Sequence, residues 1–239
     1  MLVTNFWLKS AVYKVVCGFY QAFDVGRIHP SRERSLRALG RTVDYIERTM
    51  PNALGLDSQR EIIQYALQAV QIEGHYLEFG VFKGGTIRFI ARRLGKRQIH
   101  GFDSFVGLPE AWSGYNLGGS TFDRKGKLPR VPDNVLLHSG WFEATLPKWL
   151  ANYDGPAAFI HIDCDIYSAT KTIFDALASR IVPGTVILFD EYFNYPNWEE
   201  HEHKAFQEFV RVHGVTCSYL AYARQQMAVR IDSILRVDS

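Results

Sequence analysis

The chain has 239 residues, of which 27 are basic and 25 acidic, a formal charge of +2 that leaves no footprint for nucleic acid. Hydrophobic residues make up 47% and aromatics 14%, enough to bury a core, which excludes a disordered chain. Cys17, Cys164 and Cys217 are too widely spaced for a disulfide framework or a zinc site, so a small-molecule partner and a reducing, cytoplasmic setting are expected.

Residues 6–23 are the most apolar stretch, but Lys9, Ser10, Lys14 and Gln21 interrupt it, so it is no integral membrane segment. It lacks the basic start of a signal peptide and reads as an amphipathic helix, with Phe6, Val12, Val15, Val16, Phe19 and Phe23 on one broad face. Such a face packs on the domain or on a second subunit, so a homodimer or larger assembly is expected, with weak peripheral membrane attachment a distant second. Residues 27–41 read as a charged connector, followed by helices over 35–49 and 58–73, with Met50, Pro51, Asn52 and Gly55 at the break. Residues 1–73 are thus expected to form an N-terminal helical extension and 74–239 the catalytic domain.

Beyond Gly74 the periodicity changes. Strands are expected over residues 76–81, 98–105, 135–138, 157–163 and 185–190, separated by helices over 86–94, 143–152 and 168–180. The Gly- and Pro-rich stretch 107–133 reads as an irregular site loop. A helix over 199–213 precedes an antiparallel hairpin of 216–222 and 226–231. The alternation implies an α/β fold with a doubly wound, mostly parallel, seven-stranded sheet, and a ligand at the carboxyl ends of its strands.

Those ends carry acids. The first strand runs into Glu78-Phe79-Gly80-Val81-Phe82-Lys83-Gly84-Gly85-Thr86. Its glycine turn lets backbone approach a ligand, but it lacks the G-x-G-x-x-G spacing that seats a pyrophosphate, which disfavours a nicotinamide oxidoreductase. The carboxylate of Glu78 instead suits a ligand bringing positive charge, such as an ammonium or sulfonium. Asp103 ends the second strand, where a carboxylate grips both hydroxyls of a ribose. Ser139 and the backbone of Trp141, after the third strand, lie where an adenine is expected.

Three motifs, in this order, are similar to those of the macrocin O-methyltransferase (TylF-type) family: Glu78 to Gly85, Gly101-Phe102-Asp103-Ser104-Phe105-Val106-Gly107-Leu108-Pro109-Glu110, and His161-Ile162-Asp163-Cys164-Asp165-Ile166-Tyr167-Ser168. The resemblance runs from about Tyr76 to Val210. It implies a class I methyltransferase fold, S-adenosylmethionine (SAM) as cofactor, and often a divalent metal with a sugar or phenol hydroxyl as acceptor. The expected cofactor set is Glu78, Gly80, Gly84, Thr86, Asp103, Ser104, Ser139, Trp141 and Asp163.

The fourth strand ends Asp163-Cys164-Asp165 and the fifth Asp190-Glu191. Crowded carboxylates repel unless a cation or proton is shared, and an all-oxygen set suits Mg²⁺. Spacing and resemblance together make Asp163, Asp190 and Glu191 the expected ligands. Asp165 is left to act as general base on the acceptor hydroxyl. The family has two adjacent aspartates where this chain has Asp190-Glu191. Four further features read as structural: Cys164 as a small residue, His161 as a hydrogen-bonded core residue, residues 199–203 as a solvated helix start, and the aromatic loop from Tyr192 to Trp198 as packing or an acceptor wall. A catalytically silent scaffold on the same fold is disfavoured by the retained strand-end acids.

Overall fold

The computed structural model describes residues 29–113 and 118–235, so the apolar segment 6–23 lies outside the described residues. Its contacts divide the chain into residues 1–37 and 38–239. Residues 38–73, expected to go with a helical extension, therefore fall in the same unit as the sheet. In the first unit an i,i+4 pair, Arg37 to Glu33 at 2.9 Å, lies on helix α1 (Pro30–Thr49). That helix begins five residues earlier than expected, because a proline is tolerated in a first turn, where its missing N–H has no partner to lose.

In the second unit, after α1, come strand β1 (Leu54–Gly55) and helix α2 (Gln59–Gln68). A capping box starts α2: Ser58 Oγ accepts from the N–H of Glu61 at 3.3 Å, and Glu61 Oε2 accepts from the N–H of Asp57 at 3.0 Å. The helix stops well short of residue 73. Then follow β2 (His75–Phe79), α3 (Gly85–Leu94), β3 (Ile99–Asp103), β4 (Val135–Ser139), α4 (Phe142–Asn152), β5 (Ala157–Ile162), α5 (Tyr167–Leu177), β6 (Val186–Phe189), α6 (Glu202–Val212), β7 (Thr216–Tyr222) and β8 (Met227–Ser233).

The sheet has eight strands, not seven, in the order β1-β7-β8-β6-β5-β2-β3-β4. The additional member is the two-residue β1, which pairs in parallel with β7. Two residues are too short for an alternating pattern, which is why periodicity misses it. All neighbours run parallel except β6 with β8 and β7 with β8, so the closing hairpin is as expected. The core lies on both sheet faces: Leu77, Phe79, Ile160 and Phe189 pack on one, and Tyr76, Ile87, Phe159 and Leu188 on the other. Among the described residues no helix is long and apolar enough to cross a membrane.

Strand order reverses between β2 and β5. The chain moves from β2 outward through β3 to β4, then returns to β5 on the other side of β2. Such a switch point splays the loops that follow the two strands and opens a crevice at their carboxyl ends.

Candidate active site

A cavity of about 350 Å³ opens at that crevice. Its walls include Gly80, Phe82, Lys83 and Thr86 after β2, Asp103 and Ser104 after β3, Trp141, Phe142 and Glu143 at the start of α4, and Asp163, Asp165 and Glu191 after β5 and β6. Trp112 and Phe122, from the long loop between β3 and β4, complete it.

The β2–β3 side is stitched by Asp103. Its Oδ2 accepts from the N–H groups of Val81 at 2.8 Å and Phe82 at 2.6 Å, and its Oδ1 from the N–H of Phe105 at 2.6 Å. A carboxylate has about four lone-pair positions, so the group that ties down the glycine turn retains capacity for a hydroxyl. Gly80 sits at φ +92°, and a Cβ there would run into the carbonyl oxygen of Asp163. Glycine is thus required by the β2–β5 approach itself. Gly84, at φ +73°, is buried against Pro129 and Arg88 rather than against the cavity. The Ser104 hydroxyl donates to the carbonyl of Gly107 at 2.9 Å, so it braces its own turn.

Two further expected cofactor contacts, like Gly84, lie off the cavity wall. Glu78 is fully buried and does not reach the cavity, because the β2–β5 register sets it beside His161, whose Nδ1 is 3.4 Å from Glu78 Oε2. Neighbouring residues on paired strands share a face, and here that face is the sheet interior. Burial raises the Glu78 carboxyl. Ser139 pairs with Asp103 in the β3–β4 ladder but is exposed and outside the cavity wall.

The β5–β6 side collects the acids. Asp163, Asp165 and Glu191 each offer a carboxylate oxygen within 4.8 Å of the others. The third member is Asp165 and not, as expected, Asp190. Asp190 Oδ1 accepts instead from Gln59 Nε2 at 2.6 Å and lies 3.9 Å from His161 Nε2. Burial would raise Asp190, but the His161 and Gln59 contacts win and hold it below the usual carboxylate range. Burial alone would lower His161; its two carboxylate neighbours instead hold it well above its ordinary value. Burial and the Asp190 charge push Asp163 and Glu191 well up, and carry Asp165 to about 7.

Asp165 is also strained. It has φ +69°, and the N–H of Ile166 donates to the carbonyl of Cys164 at 2.8 Å, closing a γ-turn around it. A non-glycine residue held this way costs on the order of 1–3 kcal/mol and persists only where its surroundings impose it. Ile166, 1% exposed, anchors the turn in the core.

Three features escape a sequence reading. Gln59 carries no signal of its own and lies 131 residues from its partner. Glu202 falls where a solvated helix start is expected, yet it is fully buried, and its Oε2 accepts from the N–H of Glu191 at 3.2 Å. His201 is also buried, its Nε2 lying 3.1 Å from Ser113 Oγ. Only the dense apolar residues of this region, with Phe206 and Phe209 following, hint that the helix start is covered. The aromatic loop packs inward: Tyr192, Phe193, Tyr195 and Trp198 are at most 2% exposed and none lines the cavity. Cys164 is a buried thiol 3.4 Å from Thr170 Oγ1, raised well above its ordinary pKa by burial and hence inert.

The doubly wound sheet with its switch-point cavity defines the class of fold: the Rossmann-like α/β fold of the methyltransferases. Known proteins place it more closely. Residues 77–192, just under half of the chain, match the family model Methyltransf_24, described as a methyltransferase domain. A relative from Streptomyces olivaceus, 8-demethyl-8-(2,3-dimethoxy-alpha-L-rhamnosyl)-tetracenomycin-C 4'-O-methyltransferase, is 29% identical over 184 residues, covering 65% of this chain and 67% of its own. Among solved structures, CalS11, a calicheamicin methyltransferase, has a TM-score of 0.60 at 20% identity, covering 85% of this chain and 94% of that one. The O-methyltransferase NovP has a TM-score of 0.52 at 22% identity, covering 73% and 77%. At these identities the two structures speak for the fold.

Proposed function

We propose that the chain transfers a methyl group from SAM to a hydroxyl of a sugar or phenolic natural product, as a TylF-type O-methyltransferase assisted by Mg²⁺. The observation that carries this reading is Asp165: a carboxylate in a strained turn on the cavity wall, its pKa at about 7, beside Asp163 and Glu191. A sugar acceptor is supported by the relative from Streptomyces olivaceus, whose own name places it as a 4'-O-methyltransferase on a rhamnosyl compound.

SAM supplies, when bound, a methyl group already activated on a sulfonium. The protein's work is alignment and removal of one proton. Asp103 holds the glycine turn in shape and offers its remaining lone pairs to ribose hydroxyls. Thr86, at the start of α3, and Trp141, at the start of α4, flank the cofactor's place on either side. Phe82, Trp112, Phe122 and Phe142 keep water from the transfer axis. Asp165 accepts the acceptor's hydroxyl proton.

The residues present fit a divalent cation: three crowded carboxylates raised by burial and mutual repulsion, with oxygen-only donors. Asp163 and Glu191 would hold it, with Asp190 behind them and Asp165 left beside it as the base, and its chemistry would be to lower the acceptor hydroxyl's pKa and fix its direction. Titration with S-adenosylhomocysteine and with NAD, each with and without Mg²⁺, tests the reading. Saturable binding of S-adenosylhomocysteine alone is expected. Binding of NAD, or of neither, would overturn it.

A further inference from the structure

The formal charge of +2 conceals a separation. Residues 83–130 hold ten of the 27 Lys and Arg but only three of the 25 Asp and Glu, so the remainder of the chain is net acidic. Six of those cations lie on two segments that pack together, the turn and first residues of α3 (Lys83, Arg88) and the loop before β4 (Arg124, Lys125, Lys127, Arg130).

Specific contacts lay the two segments together. Pro129 packs on Gly84, where a Cβ would stand 3.2 Å from the proline ring. Arg88 Nη1 donates to the carbonyls of Lys83 at 2.8 Å and Arg130 at 3.1 Å. Phe122 meets Phe82 edge to face at 5.5 Å. The N–H groups of Arg124 and Gly126 both donate to the carbonyl of Phe105, at 3.1 and 2.9 Å. Arg124 Nε donates to the Lys127 carbonyl at 2.9 Å, so that turn is closed by its own cation.

Among the described residues none of the six side-chain cations has a carboxylate oxygen within 4.0 Å; Asp123, the acid of this loop, is turned back on the chain, its Oδ1 accepting from the backbone N–H of Lys125 at 2.6 Å. Lys83, Lys125, Lys127 and Arg130 are exposed. Holding like charges on neighbouring segments with few counter-charges raises the energy of the protein alone, and an anion bound there recovers it. Of the six, Lys83 lines the cavity, beside Phe82 and Phe122, so the basic segments reach it on the β2–β3 side through that residue while the acids line it on the β5–β6 side.

We infer that this basic group is a phosphate subsite, and that the acceptor is a soluble molecule carrying a phosphate or diphosphate at one end and the reacting hydroxyl at the other. A ligand of that polarity lies across the cavity one way round only, anion to the cations and hydroxyl to Asp165. The inference extends the O-methyltransferase reading to its substrate class, and the binding it requires is measured without turnover.

The test is titration of the S-adenosylhomocysteine-loaded protein with inorganic pyrophosphate, in magnesium-free buffer so that the acid centre contributes no cation-mediated site. Saturable binding that weakens with added salt is expected. The double variant Arg124→Ala, Lys127→Ala should bind about ten-fold or more weakly, with S-adenosylhomocysteine affinity unchanged. The control Lys96→Ala, Arg97→Ala, beyond the far end of α3, should bind as the parent does. No saturable pyrophosphate binding, or an equal loss in the control, would overturn the subsite while retained S-adenosylhomocysteine binding left the methyltransferase reading standing. Loss of both would bring down that reading too. Co-sedimentation with mixed phosphatidylcholine and phosphatidylserine vesicles is the last arm: capture that pyrophosphate does not compete away would assign the cations to a membrane surface and overturn the soluble acceptor.

Discussion

The two sides of the cavity hold their carboxylates by opposite means. On the β2–β3 side Asp103 is satisfied by three backbone N–H groups no more than 22 residues away. On the β5–β6 side Asp190 depends on Gln59, 131 residues away, and on His161, while the backbone of Glu191 depends on Glu202 in the next helix. The first arrangement is local, made by the turn it serves, and leaves the carboxylate with lone pairs to spare. The second is assembled from distant segments and leaves Asp163, Asp165 and Glu191 short of counter-charge. On the proposed function the contrast separates the work: a locally built side would seat the cofactor and a side built from tertiary contacts would do the chemistry, so each is expected to be separately breakable.

The largest effect should come from Asp165→Asn. Asparagine tolerates the positive φ, so the turn survives, but the base is gone and turnover should fall by about 10²–10⁴-fold. S-adenosylhomocysteine affinity should not change, and full turnover in this variant would move the base elsewhere. Next is Asp103→Ala, which strands the N–H groups of Val81, Phe82 and Phe105. It should cost about 1–3 kcal/mol of stability in denaturant titrations and weaken S-adenosylhomocysteine binding. Unchanged affinity would remove Asp103 from the cofactor side.

Gln59→Leu sharpens the comparison further. Losing a donor behind a ligating cluster typically costs about ten-fold or more in metal affinity or activity. Mn²⁺ binding should weaken by about that much while S-adenosylhomocysteine binding holds, and a parallel loss of both would mean the two sides are not independent. The smallest effect on activity should come from pH acting on the sheet. His100, buried 3.1 Å from His138, has a pKa lowered from 6.5 to about 4 by burial and by the neighbouring His138 and His75. The unfolded chain therefore takes up the proton first as pH falls. Stability from this group is fully present above about 6.5 and is lost progressively on the way to about 4. Thermal unfolding across that window should show the slope, and His100→Phe should flatten it.

Much of this architecture is legible in the residues. The alternation of apolar strands with amphipathic helices, the glycine turn and the strand-end acids suffice for a doubly wound parallel sheet and a cavity at its carboxyl edge, because periodicity and turn chemistry act over a few residues. The misreadings cluster where the partner is remote. Glu78 reads as a ligand for a cofactor, but its face of the strand is decided by the register with β5, which brings His161 alongside. Asp190 reads as a metal ligand until Gln59 and His161 turn it away from the cluster. Glu202 and His201 read as solvated because nothing in five charged residues reveals that the strand ends and the Ser113 segment lie over them.

The sequence by itself therefore determined the class of fold, the edge of the sheet that carries the site, and the residue types available there, since these follow from short-range periodicity and local backbone preference. Tertiary structure alone decided which acids face the cavity, which are buried against His161 inside the sheet, and that two basic segments about forty residues apart pack together beside the cavity. Charge balance and burial depend on what stands within a few ångströms in space, and the order of residues along the chain does not carry that distance.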